Sequence, residues 1–339
     1  MDLTTRTRQS ATCLWGSTDF HDAIQAYREI LVDSPETTWV DLGPTAEVGG
    51  YRLIRPLGGG SQAEVWEARP LVGNPQPVAL RILRADLAGS SAARSAFLRS
   101  AELTRRFRER SQLPTIEAGE ARGVAYQSLP LVRGASLADA IASQRDGLVV
   151  NADDQEGAWW LGRNPEDYRR MIASALVGVA RSLAEAHDQG VVHRDVKPSN
   201  ILLDRDQPGL AFLADFGLGT RLGQGEVKPV SSGTLMYMAP ERLLGLPCDD
   251  VRCDVFALGM TLYEALTLHH PRETPVRMHR SALPTHLARS RPAPPRASCP
   301  RLSKKIEAVI LRAIAPEPSD RYRGASELAD DLRTASQSL

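Results

Sequence analysis

Apolar and polar residues alternate along the chain from Tyr51 to Leu83, with the period of two that is typical of half-buried strands. The stretch "YRLIRPLGGGSQAEVWEARP" predicts a strand, a glycine-containing turn and a second strand. In "PVALRILRADL" the alternation predicts a third strand, in which Arg81 follows Val78, Ala79 and Leu80. The stretch "GVAYQSLPLVRG" predicts another. The first part of the chain is therefore expected to be a small sheet.

The pattern changes to a helical period after these strands. A helix is predicted between them, in "SAARSAFLRSAELTRRFRER", and a later one in "SLADAIASQ", which Ser136 can cap. The stretch "YRRMIASALVGVARSLAEAHDQG" predicts a long amphipathic helix that ends at Gly190. Two more helices are predicted at the end of the chain. The expected fold class is α+β.

The predicted elements divide the chain unevenly. Residues 1–50 are predicted to be a polar leader with one short helix, around "FHDAIQAYREILVD". Residues 51–335 are predicted to form one bilobal domain, with a small antiparallel-sheet N-lobe at 51–131 and a mainly helical C-lobe at 132–335. A cleft between two such lobes is where ligands usually bind.

Composition and charge exclude several classes of protein. Lys plus Arg and Asp plus Glu each number 41, so the net charge points to neither a nucleic-acid nor an anionic membrane partner. The four cysteines lack metal-ligand spacing and predict reduced thiols. The sequence lacks a signal peptide and any run of the ~18 apolar residues that a membrane helix needs. We expect a cytoplasmic protein without a membrane segment.

Two polar motifs follow apolar strands in the second half. "VVHRDVKPSNILL" contains Asp195, Lys197 and Asn200, and "LADFGLG" contains Asp215. Asp195 can accept a hydroxyl proton, and Lys197 can neutralise a phosphoryl group during its transfer. Asn200 and Asp215 offer the hard oxygen ligands that Mg²⁺ prefers.

The two motifs in this order match H-R-D-x-K-x-x-N and D-F-G, and the chain resembles the bacterial members of the eukaryotic-like serine/threonine protein kinases over about residues 51–335. The resemblance implies ATP as substrate, with Mg²⁺ or Mn²⁺. It implies catalytic roles for Asp195, Lys197 and Asn200 and a metal site at Asn200 and Asp215. It also implies that Glu241 pairs with Arg321 and that Asp254 braces the loop around Asp195.

The resemblance extends to the nucleotide site. "LGGGSQAEV" is similar to the glycine-rich loop that covers ATP phosphates, and adenine is expected against Val65 and Ala79, beside a hinge at residues 129–131. The residues expected to contact the nucleotide are Leu57, Gly58, Gly60, Val65, Ala79, Arg81, Leu129 and Leu131.

Two positions depart from the family pattern. Arg81 stands where the family has a Lys that contacts the phosphates, and Ser100 stands where it has the Glu that steadies this Lys. Glu102 lies about 200° further round the helix and is expected to face elsewhere. We expect Arg81 to point into the cleft and meet ATP phosphates or Asp215; the alternative is that it extends out to solvent.

Three functions stay open at this point. The first is a serine/threonine protein kinase with reduced basal activity, and the second is a pseudokinase that binds nucleotide or a partner. A small-molecule kinase is less well supported, because "GTLMYMAPE" resembles the end of an activation segment, while Lys197 and Thr234 resemble the serine/threonine subclass. The protein substrate, the activating signal, the role of residues 1–50 and the oligomeric state are not given by the sequence.

Overall fold

The computed structural model describes residues 42–60, 62–146, 164–216, 220–221, 235–248, 250–272, 279 and 281–339. The predicted helix of the leader lies outside these residues. So do Thr234 and most of the chain between Phe216 and Leu235. Within the described ranges, no helix combines the length and the apolar character needed to cross a membrane.

The N-lobe is a six-stranded antiparallel sheet with the order β1-β2-β3-β4-β6-β5. Its strands are β1 (Glu47–Val48), β2 (Tyr51–Gly59), β3 (Ala63–Pro70), β4 (Val78–Leu83), β5 (Glu117–Ala121) and β6 (Val124–Pro130). Because β1 pairs with β2, the sheet begins four residues before the expected domain start at residue 51.

The two faces of β4 have different surroundings. Leu80 and Ile82 are fully buried, and with Trp66 on β3 they belong to the core on one face of the sheet. Ala79 and Arg81 alternate with them and are only partly buried. The period of two therefore places Arg81 on the opposite face from the core.

The helices lie mainly in the C-lobe, as expected. In the N-lobe α1 (Ala85–Ala88) precedes α2 (Ser91–Thr104), which ends six residues earlier than the sequence pattern predicts. The C-lobe contains α3 (Leu137–Asp146), α4 (Pro165–Asp188), α5 (Pro240–Leu243), α6 (Asp250–Thr267), α7 (Leu283–Arg289), α8 (Pro295–Ser298), α9 (Lys304–Ala313) and α10 (Ala325–Ser336).

Local capping follows the sequence. The Ser136 hydroxyl accepts a hydrogen bond from the Asp139 amide at 3.1 Å, and the Asp139 carboxylate accepts one from the Ser136 amide at 3.2 Å. These reciprocal bonds satisfy amide donors that the first turn of a helix leaves unpaired. Gly190, after α4, has φ +72°, the left-handed conformation expected of it.

Short strands shape the part of the C-lobe that faces the sheet. The strands β7 (Gly134–Ser136), β9 (Ile201–Asp204) and β10 (Ala211–Leu213) form one small sheet, and β8 (Val191–Val192) pairs with β11 (Thr220–Arg221). The two polar motifs follow directly after β8 and β10. The expected α+β fold, with an antiparallel sheet in one lobe and a helical second lobe, is confirmed.

A buried ion pair holds the C-lobe together below these loops. Arg321 donates to both carboxylate oxygens of Glu241 at 2.7 and 2.9 Å, as expected, and both residues are buried. Burial is the largest single influence and would raise the pKa of Glu241. The hydrogen bonds and charge of Arg321, with a backbone hydrogen bond and the Cys253 thiol, together outweigh it and hold the pKa below its usual value. The ionised form of Glu241 is therefore favoured in the folded protein.

We expect Glu241→Gln to destabilise the fold by ~3–5 kcal/mol near neutral pH, because it leaves the Arg321 charge buried without its partner. The lowered pKa stabilises the fold fully above the unfolded value of 4.5, and this stability is lost as pH falls through the folded value. Melting curves recorded from ~pH 5 downward, through and below 4.5, should thus depend less on pH in the variant.

A matched control is Glu327→Gln, which breaks an exposed pair with Arg312 at 2.6 Å. An exposed pair contributes ~0–1 kcal/mol, so this variant should melt close to the starting protein at neutral pH. Equal melting temperatures for the two variants would contradict a structural role for the buried pair.

Candidate active site

The loop after β8 holds three of the predicted site residues in direct contact. The Lys197 ammonium donates to both carboxylate oxygens of Asp195, at 3.0 and 2.8 Å. The Asn200 amide nitrogen donates to the Asp195 carbonyl oxygen at 2.7 Å and to its carboxylate at 3.0 Å. These contacts fix the position of one carboxylate at the edge of the cleft.

Asp254, near the start of α6, braces this loop from below. Its carboxylate accepts hydrogen bonds from the backbone amides of His193 at 2.7 Å and Arg194 at 2.8 Å, and it lies 3.0 Å from Nε2 of His187. Burial tends to raise the pKa of Asp254, but the contacts with His187 and His193 lower it below its usual value. The carboxylate is thus held ionised, and the expected bracing role is confirmed.

The second polar motif, which contains Asp215, lies next to this loop. The Ala214 amide donates to the carbonyl oxygen of Asn200 at 2.9 Å. Asp215, the next residue, therefore lies close to the Asn200 backbone. Asp215 has φ +63°, a left-handed conformation that is unusual for a residue other than glycine. Such strain persists only where the surroundings determine it, and it often occurs at functional sites.

Phe216 fixes the position of Asp215 from the other side. The centroid of its ring lies 4.5 Å from the centroid of the His193 ring, in an edge-to-face arrangement, and 5.4 Å from the centroid of the Phe107 ring. Aromatic pairs at these distances add to the stability that burial supplies. The predicted helix around Phe107 ends early, and Phe107 reaches Phe216 from the segment that follows.

The cleft face of the sheet brings the predicted nucleotide residues together. Val65 on β3 pairs with both Gly58 and Arg81, and Ala79 on β4 pairs with Leu129 on β6. Ala79 and Leu129 therefore lie two residues along the strands from Arg81, and Val65 lies directly opposite the cation. Leu57, Gly60 and Leu131 lie at the borders of this face, and all three are at least partly exposed.

Arg81 points into the cleft, which confirms that part of its prediction. Its Nη2 donates to Oδ1 of Asp215 at 2.6 Å, and its Cζ lies 5.6 Å from the centroid of the Phe97 ring. The Arg81 side chain is 11% exposed, so the alternative of an outward, solvated guanidinium is wrong. The contact joins the sheet to the Asp215 motif.

The helix α2 presents no carboxylate to Arg81. Ser100 is 4% exposed, and its hydroxyl donates to the Phe97 carbonyl at 2.7 Å, within the helix. Glu102 is exposed and faces elsewhere, as expected. The group that contacts Arg81 on this side is Gln127 of β6, whose Oε1 accepts from Nη1 of Arg81 at 3.1 Å.

Gln127 is the site residue that the sequence analysis missed. It stands in the apolar strand "AYQSLP" and is 1% exposed. A polar side chain at the centre of a buried strand was the available signal, since such groups need partners. Its partner could not be identified without the register that pairs Gln127 with Arg81.

The residues present suit a divalent cation of the Mg²⁺ type. Asp215 offers carboxylate oxygens, and Asn200 uses its amide nitrogen for Asp195, which leaves its oxygen as the donor atom suited to a metal. A carboxylate has about four lone-pair sites, so the contact with Arg81 does not exclude a metal. When bound, Mg²⁺ or Mn²⁺ would neutralise negative charge on a nucleotide phosphate.

The site combines a carboxylate held by a lysine and an asparagine, a second carboxylate beside it, and a sheet face that carries apolar residues and a cation. This combination is typical of the class of nucleotide-dependent phosphotransferases. Comparison with known proteins identifies the family. The protein kinase domain family matches residues 51–331. The chain belongs to the protein kinase family.

Bacterial serine/threonine kinases are among its relatives. The serine/threonine-protein kinase PknH of Mycobacterium bovis is 32% identical over 285 residues, which cover 83% of this chain and 43% of that protein. The probable serine/threonine-protein kinase PknB of Corynebacterium glutamicum is 30% identical over 297 residues, which cover 83% of this chain and 41% of that protein. This chain therefore spans less than half the length of these relatives.

A solved structure has the same fold. The crystal structure of the Mycobacterium tuberculosis PknI kinase domain matches with a TM-score of 0.60 and 25% sequence identity. The match covers 87% of this chain and 99% of that structure.

We expect Mg-ATP to raise the melting temperature of the protein, because a ligand that binds only the folded state stabilises it, by ~2.7 kcal/mol at a hundredfold excess over Kd. Asp215→Asn should remove most of this shift, since it takes away the carboxylate that contacts Arg81 and is expected to bind the divalent cation. A thermal titration with ATP, with and without Mg²⁺, measures the effect.

The control is Glu102→Gln, an exposed change on α2. It should shift with Mg-ATP as the starting protein does. A folded sample that Mg-ATP does not stabilise would contradict a nucleotide site in this cleft.

Proposed function

We propose that the protein is a serine/threonine protein kinase that transfers the γ-phosphate of ATP to a protein hydroxyl, with reduced basal activity. The observation that carries the proposal is the contact of Asp195 with Lys197 and Asn200, next to Asp215. The serine/threonine kinases among its relatives support the same activity.

The proposed reaction divides among a few residues. The substrate oxygen attacks the γ-phosphorus, the bond to the β-phosphate oxygen breaks, and ADP leaves. Asp195 accepts the proton of the attacking hydroxyl, while Lys197, 2.8 Å from that carboxylate, offsets the charge of the transferred group. Asn200 and Asp215 would hold the metal, and Arg81 would contact the phosphates.

Reduced activity is inferred from the two altered positions. A guanidinium is planar and longer than an ammonium, so Arg81 cannot take the place of a compact lysine without moving the phosphates. A lost hydrogen bond to a charged group costs ~1.5–3 kcal/mol, which is about one to two decades in rate. Asp195, Asn200 and Asp215 are kept, so the chemistry is weakened rather than abolished.

A pseudokinase is the second candidate, and one observation favours it. Arg81 already binds Asp215 at 2.6 Å, so a nucleotide must share or replace that contact. In this role the protein would bind nucleotide or a partner and signal through conformation. An assay of phosphoryl transfer with Mg²⁺ and with Mn²⁺ separates the two candidates.

A protein substrate is favoured over a small molecule. The stretch "GTLMYMAPE", which resembles the end of an activation segment, is anchored through Glu241 by Arg321. Such an anchored segment supports a peptide substrate at the cleft. Among the described residues, Cys248, Cys253 and Cys299 form no disulfide, which supports the proposed reducing, cytoplasmic setting.

We expect Arg81→Lys to recover only part of the phosphorylation rate, because the ammonium still lacks a carboxylate partner. Ser100→Glu alone should recover little of the phosphorylation rate, since the new carboxylate would pair with the longer guanidinium of Arg81 in a different geometry. The double variant should exceed the sum of the two effects by ~0.5–3 kcal/mol, as groups in contact do. Initial rates at saturating ATP for the four proteins measure the coupling.

The cycle has two controls. Arg84→Lys changes a half-exposed arginine that pairs with Asp86 at 3.0 Å outside the cleft, and it should leave the rate unchanged. Asp195→Ala should abolish transfer in every background. Strict additivity, or a double variant slower than the starting protein, would show that Arg81 is not an altered lysine, and would favour the pseudokinase.

A further inference from the structure

Gln127 lies at the centre of a buried hydrogen-bond network beside Arg81. Its Oε1 accepts from the guanidinium at 3.1 Å, while its Nε2 donates to the Phe97 carbonyl at 2.5 Å and to the Ser100 hydroxyl at 3.0 Å. One side chain thus joins β4, β6 and α2 at a single point.

The orientation of the Gln127 amide is fixed by its partners. A guanidinium has only donors, so the atom that faces Arg81 has to be the amide oxygen. The carbonyl of Phe97 has only acceptor sites, so the atom that faces it has to be the amide nitrogen. The reversed amide would break both contacts at once.

A glutamate at this position would not fit equally well. It would accept from Arg81, but an ionised carboxylate has no donor for the Phe97 carbonyl and would place two oxygens against each other. The Ser100 hydroxyl, which already donates to that carbonyl at 2.7 Å, completes the site by accepting from the Gln127 nitrogen. Serine at position 100 and glutamine at position 127 are therefore complementary.

We propose that Gln127 is the positioning residue of the nucleotide site, and that with Ser100 it holds the Arg81 guanidinium from the sheet in place of a carboxylate on α2. The inference rests on the proposed function, because it concerns the residue expected to meet the ATP phosphates. Gln127 acts through Arg81.

The arrangement has a consequence for charge. The Gln127 amide is neutral, so it orients the guanidinium without cancelling its charge. The negative group that the structure places on Arg81 is Asp215, at 2.6 Å. The attraction of the cation is therefore directed to Asp215 and to the part of the cleft beside it, where the phosphates and the metal are expected.

The test is Gln127→Met, which keeps the length of the side chain and removes both hydrogen-bonding groups. Loss of a hydrogen bond to a charged group predicts a ~10–100-fold loss of Mg-ATP affinity. Isothermal calorimetry measures the affinity directly, and steady-state kinetics should show the change in the KM for ATP and not in the KM for a peptide.

A matched control is Gln112→Met. Gln112 is also buried, at 4% exposure, but its Oε1 accepts from Ser182 at 2.7 Å in the C-lobe. The change removes a buried glutamine of the same kind, so it should lower the melting temperature without changing Mg-ATP affinity. Equal losses of affinity in the two variants would reduce the role of Gln127 to general stability and overturn the proposal.

A double-mutant cycle with Arg81→Met tests whether Gln127 acts through the guanidinium. Once Arg81 is absent, Gln127→Met should cause no further loss of Mg-ATP affinity. Additive losses would mean that Gln127 contributes to binding by another route, and would overturn the proposal.

Gln127→Glu supplies the rescue and covers the case in which Gln127→Met does not fold. It restores an acceptor for Arg81, so it should keep more Mg-ATP affinity than Gln127→Met or, where that variant is unfolded, than Gln127→Leu. An affinity for Gln127→Glu as low as that of the apolar variant would contradict the proposed contact.

These binding measurements separate the inference from the proposed activity. A protein that never transfers phosphate, but loses Mg-ATP affinity in Gln127→Met and not further in the double variant, would refute the kinase proposal and leave the role of Gln127 supported. Transfer of phosphate with unchanged nucleotide affinity and KM in Gln127→Met would do the reverse.

Discussion

The Arg81 guanidinium lies on the cleft face of the N-lobe sheet, where it needs acceptors for its hydrogen bonds and its charge. Much of the cleft geometry follows from that requirement. Leaving a buried charge without a partner costs several kcal/mol, so Arg81 can stay at 11% exposure only because acceptors surround it. Asp215 supplies a charged one from the C-lobe and Gln127 supplies a neutral one from the sheet. The same contacts that satisfy the cation therefore join the two lobes.

The C-lobe meets this contact with a rigid set of loops. Asp254 holds the backbone of His193 and Arg194 from within α6, and Arg321 holds Glu241 with two hydrogen bonds. Each carboxylate is buried, and each is kept ionised by its donors against the cost of burial. Because these charges are fixed, Asp195 is presented by a frame that does not have to reorganise when a substrate arrives.

Much of this organisation could be predicted from the sequence, because it depends on local patterns. Alternation gave the strand that holds Arg81, capping chemistry gave the start at Ser136, and the two short motifs gave Asp195 and Asp215. The early end of α2 could not be predicted in the same way, since the residues after Thr104 keep a helical pattern. Phe107 there packs on Phe216, which is more than a hundred residues away.

Gln127 shows the limit of the sequence more sharply. The family resemblance, with the helical period, placed Ser100 where the family has a carboxylate. No local pattern shows which residue of which strand contacts Arg81 instead. That depends on the register of β4 with β6 and on the contact of α2 with the sheet, both of which are tertiary. A residue that departs from a motif thus directs attention to the right place.

Gln127, which contacts Arg81 where position 100 has no carboxylate, can be identified only from the three-dimensional structure. An amide on β6 in place of a carboxylate on α2 also changes what the helix contributes to the site. A carboxylate on α2 would attract the cation over several ångströms and would compete with phosphate for its charge. An amide on β6 acts only at contact distance and leaves the charge in place. In this chain Arg81 is contacted by Gln127 of the neighbouring strand, and its charge faces Asp215.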